Sequence, residues 1–331
     1  SHLDRRVGAK GIAGSTAGEL SNDGFSIESM VGLSLHGPDV RASAEIIPNL
    51  RELSLVPLVH LPEQFARRIG RDRDGLDSDR HIWILLADGA SGAEDLLTPF
   101  FLQGSPVSNL VGGSLVGGEP GQHAHTAFHG RVFRDAAALI LLEYDRPFEL
   151  LHHNHLEFTD THFEVTGVSQ SGRVLEELDG RRAAEVYAEA IGCEVDEVTT
   201  RLTALHPLGF PFKGRPFVCS PIEVTERASL MMANTVHPGD ELQLLEPKNL
   251  VESTRDEITN AIRSFEMEHD SSPVGALMFH CLGRFLEAQA KGQAAELAEA
   301  LAQLPLTGFN TYGEQFNAMH TNHTLSGLLF G

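Results

Sequence analysis

One motif occurs twice in this chain, once near each end, and that pair constrains the fold more than any other feature. Gly14-Ser15-Thr16-Ala17-Gly18-Glu19 stands near the start, and Gly308-Phe309-Asn310-Thr311-Tyr312-Gly313-Glu314 near the end. From the second glycine onward both copies keep one spacing: Gly18 and Gly313, Glu19 and Glu314, Asn22 and Asn317, and Gly32 and Gly327 all lie 295 residues apart. Val111-Gly112-Gly113-Ser114-Leu115-Val116-Gly117 is a weaker third version. Each reads as a short apolar strand entering a glycine turn, since glycine tolerates the left-handed backbone that such turns use. In the terminal pair an acidic residue and a second apolar strand follow, Met30 to Leu35 and Leu325 to Phe330. A gene duplication with one corner per half accounts for the repeat. Gly14 to Leu35 and Gly308 to Phe330 should then superpose as strand, turn and strand at equivalent places.

The 331 residues leave room for two domains, and the 41% hydrophobic content suits a folded protein with a sizeable core. Twenty-five basic against 46 acidic side chains give a net charge of −21, which repels phosphate backbones and anionic lipid and argues against nucleic acid and membrane surfaces as partners. No apolar run approaches a membrane span and the start lacks a signal-peptide profile, so the expected location is the cytoplasm. Cys193, Cys219 and Cys281 are odd in number and far apart, which predicts reduced thiols.

The apolar run from His81 to Leu86 predicts a strand buried on both faces, and Glu94 to Leu102 a helix leading to a strand at Leu110. Residues 126–133 read as a hairpin turning at His129-Gly130, Ala136 to Tyr144 as another buried strand, and Phe163 to Leu178 as a hairpin around Ser171-Gly172. A helix from Arg181 to Ile191 follows, placing the join between domains near Gly180, with 1–180 and 181–331 as the two units. Later strands are expected at Phe217 to Val224, Ser229 to Val236, Glu241 to Leu245 and Ala276 to Cys281. Ser253-Thr254-Arg255-Asp256-Glu257 looks like a capping-box helix start, and Leu297, Leu301 and Leu304 mark a helix stopped by Pro305. The fold expected is α/β, with two related halves, each a mixed, largely antiparallel sheet with helices packed on it.

At these motifs the chain resembles the FIST family, named for F-box and intracellular signal transduction proteins. The resembling residues are Gly14 to Glu19, Gly112-Gly113-Ser114, Val165-Thr166 with Leu178-Asp179-Gly180, Cys281-Leu282-Gly283-Arg284, Gly308 to Glu314, and Thr321-Asn322-His323-Thr324. The resemblance implies a FIST N-type domain followed by a FIST C-type domain. It also implies a sensory role in signal transduction with small ligands such as amino acids, and a signalling protein as possible partner. Family members usually carry a helix and a strand before the first motif, whereas this chain reaches it by residue 14, so the first domain is expected to lack its start.

Cys281-Leu282-Gly283-Arg284 lies where a buried strand ends and a helix begins, a place where open α/β sheets present ligand sites. Glycine lets a ligand approach the backbone, free N–H groups at a helix start favour an anion, and arginine matches a carboxylate with two hydrogen bonds. Glu19 and Glu314, directly after their glycine turns, are placed to accept from an ammonium or hydroxyl group. If both corners face one cleft, Arg284 and Glu314 hold the opposite charges of an amino acid. The predicted ligand set is Ser15, Thr16, Glu19, Gly113, Ser114, Cys281, Arg284, Asn310, Tyr312 and Glu314. The competing structural readings are that Arg284 pairs internally with Glu314 or Glu19, that Cys281 is a small apolar residue, and that each glutamate braces its own turn.

Histidines offer a different chemistry. On a strand His153, His155 and Glu157 project from one face and form a candidate divalent-metal site, with His123 and His125 as a second H-x-H pair. Solvated or hydrogen-bonded imidazoles are the plainer reading. Some FIST-related proteins bind haem, and His280, His320 or the His152 to His155 cluster would have to supply the axial ligand. Catalysis finds little support: His280 and Cys281 are strand neighbours on opposite faces, and no nucleophile elbow or phosphate loop occurs. The expected activity is non-enzymatic binding, with a pure interaction scaffold as the third possibility.

Overall fold

A computed structural model describes residues 11–118, 121–212 and 214–331. It contains two six-stranded sheets of matching design. The first runs in the order Val40–Pro48, Ala136–Tyr144, His81–Asp88, Leu110–Leu115, Glu314–Phe316, Met319–Thr321. The second runs Phe148–Asn154, Thr324–Phe330, Gly275–Cys281, Leu306–Thr311, Glu19–Ser21, Gly24–Ser26. In each, the third and fourth strands are parallel and every other neighbouring pair is antiparallel. This is the α/β architecture of two related, mixed and largely antiparallel halves.

The two sheets pack face to face with helices on their outer sides, and the alternation of strand side chains produces this directly. From His81–Asp88, Trp83, Leu85 and Ala87 enter a core with Phe65, Leu97 and Phe101 of the covering helices, while Ile82 and Ile84 meet Phe279, Phe309 and Leu328 of the other sheet. From Gly275–Cys281, Ala276 and Met278 turn toward Ile258, Phe265, Leu297 and Leu301 of the second set of helices. Both faces of each central strand are dry, which is why those strands read as unbroken apolar runs.

The hairpins after the glycine corners are exchanged. Glu19–Ser21 with Gly24–Ser26, near the start of the chain, completes the sheet built mostly from its end, through pairing of Glu19 with Phe309. Glu314–Phe316 with Met319–Thr321 completes the other sheet, through pairing of Glu314 with Gly113. Both hairpins keep the 295-residue offset, as do the left-handed residues Gly18 (φ 116°) and Gly313 (φ 141°), and Glu28 (φ 57°) and His323 (φ 51°). The repeat ends there. Leu325 to Phe330 belongs to a central strand, but Met30 to Leu35 forms no strand and leaves Met30 91% exposed. The place beside His81–Asp88 that it would fill is occupied by Ala136–Tyr144.

Residues 156–247 form a third sheet with its own core, in which Leu156–Val168 is the long shared strand and Ala183–Ile191 packs on Val174–Leu178. The turn at Gly180 lies within it. The single strand expected from Phe217 to Val224 is two, Arg215–Val218 and Pro221–Val224, at opposite edges of this sheet. Pro221 has no N–H to continue a ladder, and the chain changes partners there. The helix expected to start at Ser253 starts at Leu250, capped by the Asn249 side chain accepting from Glu252 N–H at 3.2 Å. Buried Leu250 and Val251 draw the first turn onto the core. The hairpin at 126–133 turns through His129 (φ 49°) and Gly130 (φ 73°), as its sequence requires.

Candidate functional site

The two corners are chemically the same object. At the first, Thr16 Oγ1 donates to Glu19 Oε1 at 2.7 Å, Ser29 Oγ donates to Glu19 Oε2 at 2.8 Å, and Ser26 and Ser29 hydroxyls meet at 2.7 Å. At the second, the Thr311 and Thr324 hydroxyls donate to the two oxygens of Glu314, and the Thr321 and Thr324 hydroxyls meet at 3.0 Å. Asn310 N–H donates to Gly18 O, and Ser114 N–H donates to Gly313 O, both at 2.8 Å, so each corner is closed by the equivalent strand of the opposite half. Each glutamate therefore braces its own turn.

The corners differ in burial. Glu19 is half-buried, whereas Glu314 is fully buried and burial pushes its carboxyl up to about 8 despite the Thr311 and Thr324 hydrogen bonds. Ser15 ties the first corner to Val116 O and His125 N–H, and Tyr312 remains half-buried. Ser114 Oγ donates to Glu94.

Arg284 occupies the first turn of Leu282–Ala290, directly after the strand Gly275–Cys281. It is fully buried. One guanidinium nitrogen donates to Thr254 Oγ1 at 2.6 Å and another to His155 Nδ1 at 3.2 Å, while Nε has no hydrogen-bond partner. Among the described residues no carboxylate lies within ion-pair distance of it, and neither Glu314 nor Glu19 is a direct partner. Because arginine can only donate, His155 Nδ1 accepts, and the ring is the neutral tautomer whose Nε2–H points at Glu287 Oε2, 2.7 Å away. Burial first, with Arg284 adding to it, pulls His155 down to about 4. Burial opposes ionisation of Glu287, yet its hydrogen bonds with His155 and Lys291 bring the carboxyl down to about 2. The compensating negative charge thus reaches Arg284 through an imidazole and is shared with Lys291.

Three further polar residues near these groups are incompletely satisfied. His280 Nδ1 meets Asn310 Oδ1 at 3.0 Å, leaving His280 Nε2 and Asn310 Nδ2 without partners in the fully buried interior. The His323 ring lies against Gly283, where a Cβ would stand 2.6 Å from it, and its Nδ1 is also unpartnered. Burial holds His280 and His323 neutral, each down to about 3. Burial also drives the Cys281 thiol far above the thiolate range, so it is a poor nucleophile.

The H-x-H-x-E residues go separate ways. His153 takes Ser253 Oγ at 3.0 Å and Glu257 at 3.4 Å, His155 is spent on Arg284 and Glu287, and Glu157 pairs with Lys248. His123 binds Asp88 at 2.7 Å while His125 accepts from Arg134 at 2.9 Å. The described residues that do bring three ligating atoms within 4.8 Å are Glu149, Glu268 and His269, partly exposed at the end of Leu250–His269. Thr254 and His155 were not anticipated as partners of Arg284, nor Glu287 as the carboxylate behind His155. Only Glu287 left a local signal, three residues on along the same helix, whereas the other two arrive from distant segments.

Fold and site define a protein with two matching six-stranded sheets and a buried cationic centre at Arg284. Residues 1–181 match the FIST N domain and residues 183–317 the FIST C domain, and the chain belongs to the FIST family. FIST domains are associated with sensing in signal transduction. No curated protein matches the chain. No helix of the described residues is long and apolar enough to cross a membrane.

Proposed function

We propose that this protein is a cytoplasmic sensor that binds a small carboxylate-bearing molecule, amino-acid-like in size, and reports its occupancy to a signalling partner without transforming it. The observation that carries the reading is Arg284: a fully buried guanidinium with a free Nε and no carboxylate at ion-pair distance among the described residues. Burial pulls its pKa down to about 10, which still leaves it a cation at neutral pH. A cation in the first turn of a helix also opposes the helix dipole, so local fields there favour an anion. The carboxylate of Glu287 reaches this cation only through the His155 ring, and a ligand carboxylate would be a direct counter-ion. The unpartnered Asn310 Nδ2 offers a further donor in the same interior, and the protonated Cys281 thiol favours binding over covalent chemistry.

The test is thermal unfolding against a panel of amino acids and other carboxylates. A ligand is expected to raise the midpoint of the wild type, and Arg284→Met to weaken that ligand by tens to hundreds of fold, since a desolvated charge-assisted contact contributes about 1.5–3 kcal/mol. Binding that survives unchanged in a folded Arg284→Met protein removes this reading.

A further inference from the structure

Away from the Arg284 centre, three metal-ligating atoms meet at the end of the helix Leu250–His269, where Glu149, Glu268 and His269 each offer one atom within 4.8 Å of the other two. Two elements supply them. Glu149 is the second residue of Phe148–Asn154, the outermost strand of its sheet, and shares a face with Leu151, which packs in the core beneath that helix. Glu268 and His269 are the last two helical residues. Phe265, one turn earlier and fully buried, meets the His269 ring at a steep angle with centroids 4.6 Å apart, which limits how the imidazole can turn.

His269 Nε2 and Glu149 Oε1 face each other at 3.5 Å, both closed off from solvent and neither with a hydrogen-bond partner. An imidazole lone pair does not rest against a carboxylate oxygen in a dry contact, so a positive charge stands between them, either a proton on Nε2 or a metal ion. The separation favours the metal. A protonated ring would draw nitrogen and oxygen to about 2.7–2.9 Å in a charge-assisted hydrogen bond. Two ligand atoms on a tetrahedral zinc ion, each bonded at about 2.0–2.2 Å, stand about 3.4 Å apart. Burial, with Glu268 adding to it, pushes the Glu149 carboxyl up against the opposing influence of His269, which is how carboxylates short of positive charge behave. Among the described residues neither Glu149 nor Glu268 pairs with a lysine or arginine, and residues 266–272 contain none. The unpaired carbonyls of a helix end favour a cation as well.

We propose that Glu149, Glu268 and His269 bind a divalent transition-metal ion, zinc or a near neighbour, with one coordination position left to water. One imidazole and two carboxylates suit zinc and ions like it, whereas calcium and magnesium prefer oxygen alone. His269 ligates through Nε2 and keeps its ring proton on Nδ1. Glu268, the exposed member, swings in to complete the set. The ion then ties the edge strand of a sheet to the end of the helix that packs on it.

The test is calorimetric titration of the chelator-stripped full chain with zinc chloride at mildly alkaline pH, where imidazole is neutral. Cobalt chloride is titrated in parallel, because its visible absorption reports ligands and geometry. One zinc per chain at micromolar or tighter affinity is expected, and zinc should erase a four-coordinate cobalt spectrum. His269→Ala and Glu149→Gln should each weaken zinc by at least about tenfold, since even residues that only support a metal ligand contribute about 10–100-fold. The chain has 17 histidines, so these variants separate this site from scattered surface binding. Absence of a stoichiometric zinc site overturns the proposal, and so does zinc affinity unchanged in folded His269→Ala or Glu149→Gln. Tighter binding of calcium or magnesium than of zinc overturns it too. Should neither variant fold, Glu268→Gln, altered at an exposed side chain, decides: zinc weakened several-fold supports the site, and unchanged affinity removes it.

Discussion

At the scale of single residues, burial decides what the conspicuous groups do. Glu19 and Glu314 occupy equivalent corners with equivalent hydroxyl partners, yet only Glu314 is sealed from water. Its raised carboxyl means that between about pH 4.5 and 8 the native state keeps a proton that the unfolded chain has released. This group's contribution therefore falls as pH rises through that window. Replacing it by glutamine should flatten the loss by on the order of a few kcal/mol between pH 5 and 8, read from denaturant unfolding at several pH values. Parallel pH curves for wild type and Glu314→Gln would show that the carboxyl is ionised throughout. His280, His323 and His155 act in the opposite sense: the unfolded chain takes up protons below about 6.5 that the buried rings refuse, so stability is also lost toward acid.

Among the elements, local chemistry was legible where it was strong. The I′-type His129-Gly130 turn and the doubly buried strands His81–Asp88 and Gly275–Cys281 follow from composition and period alone. The helix Leu250–His269 shows the limit, because Ser253 offers a plausible cap while Asn249 supplies the real one, in register with the buried Leu250, Val251 and Ile258. Asn249→Ala should cost about 1 kcal/mol and unprotect the first-turn amides in hydrogen exchange. Unaltered exchange there would mean that the turn is held by packing and not by its cap. Strands fail the same way when a partner is missing: Met30 to Leu35 is as apolar as its copy and still forms none.

For the whole molecule, the exchanged hairpins make the halves interdependent. The second sheet takes Glu19–Ser21, Gly24–Ser26 and Phe148–Asn154 from the first 181 residues, and the first sheet takes Glu314–Phe316 and Met319–Thr321 from the remainder. Fragments 1–181 and 182–331 should each lack a cooperative unfolding transition alone and regain one when mixed, as followed by circular dichroism. A cooperative transition in isolated 182–331 would show that the exchange is not needed for folding.

Sequence by itself determined the duplication, the family, the α/β class and the buried strands, because each is encoded locally, in glycine spacing, apolar period and motif order. That each glutamate braces its own turn was one of the readings the sequence offered, but the hydroxyl donors that do it were seen only in the structure. Tertiary structure alone decided which sheet each hairpin joins, and that Arg284 meets Thr254 and His155 in place of Glu314. It also decided that His153, His155 and Glu157 part company. These are contacts between segments tens to hundreds of residues apart, fixed by burial and by competition for partners. A one-dimensional pattern records which groups can bond but not which of them will be left facing one another in the dry interior.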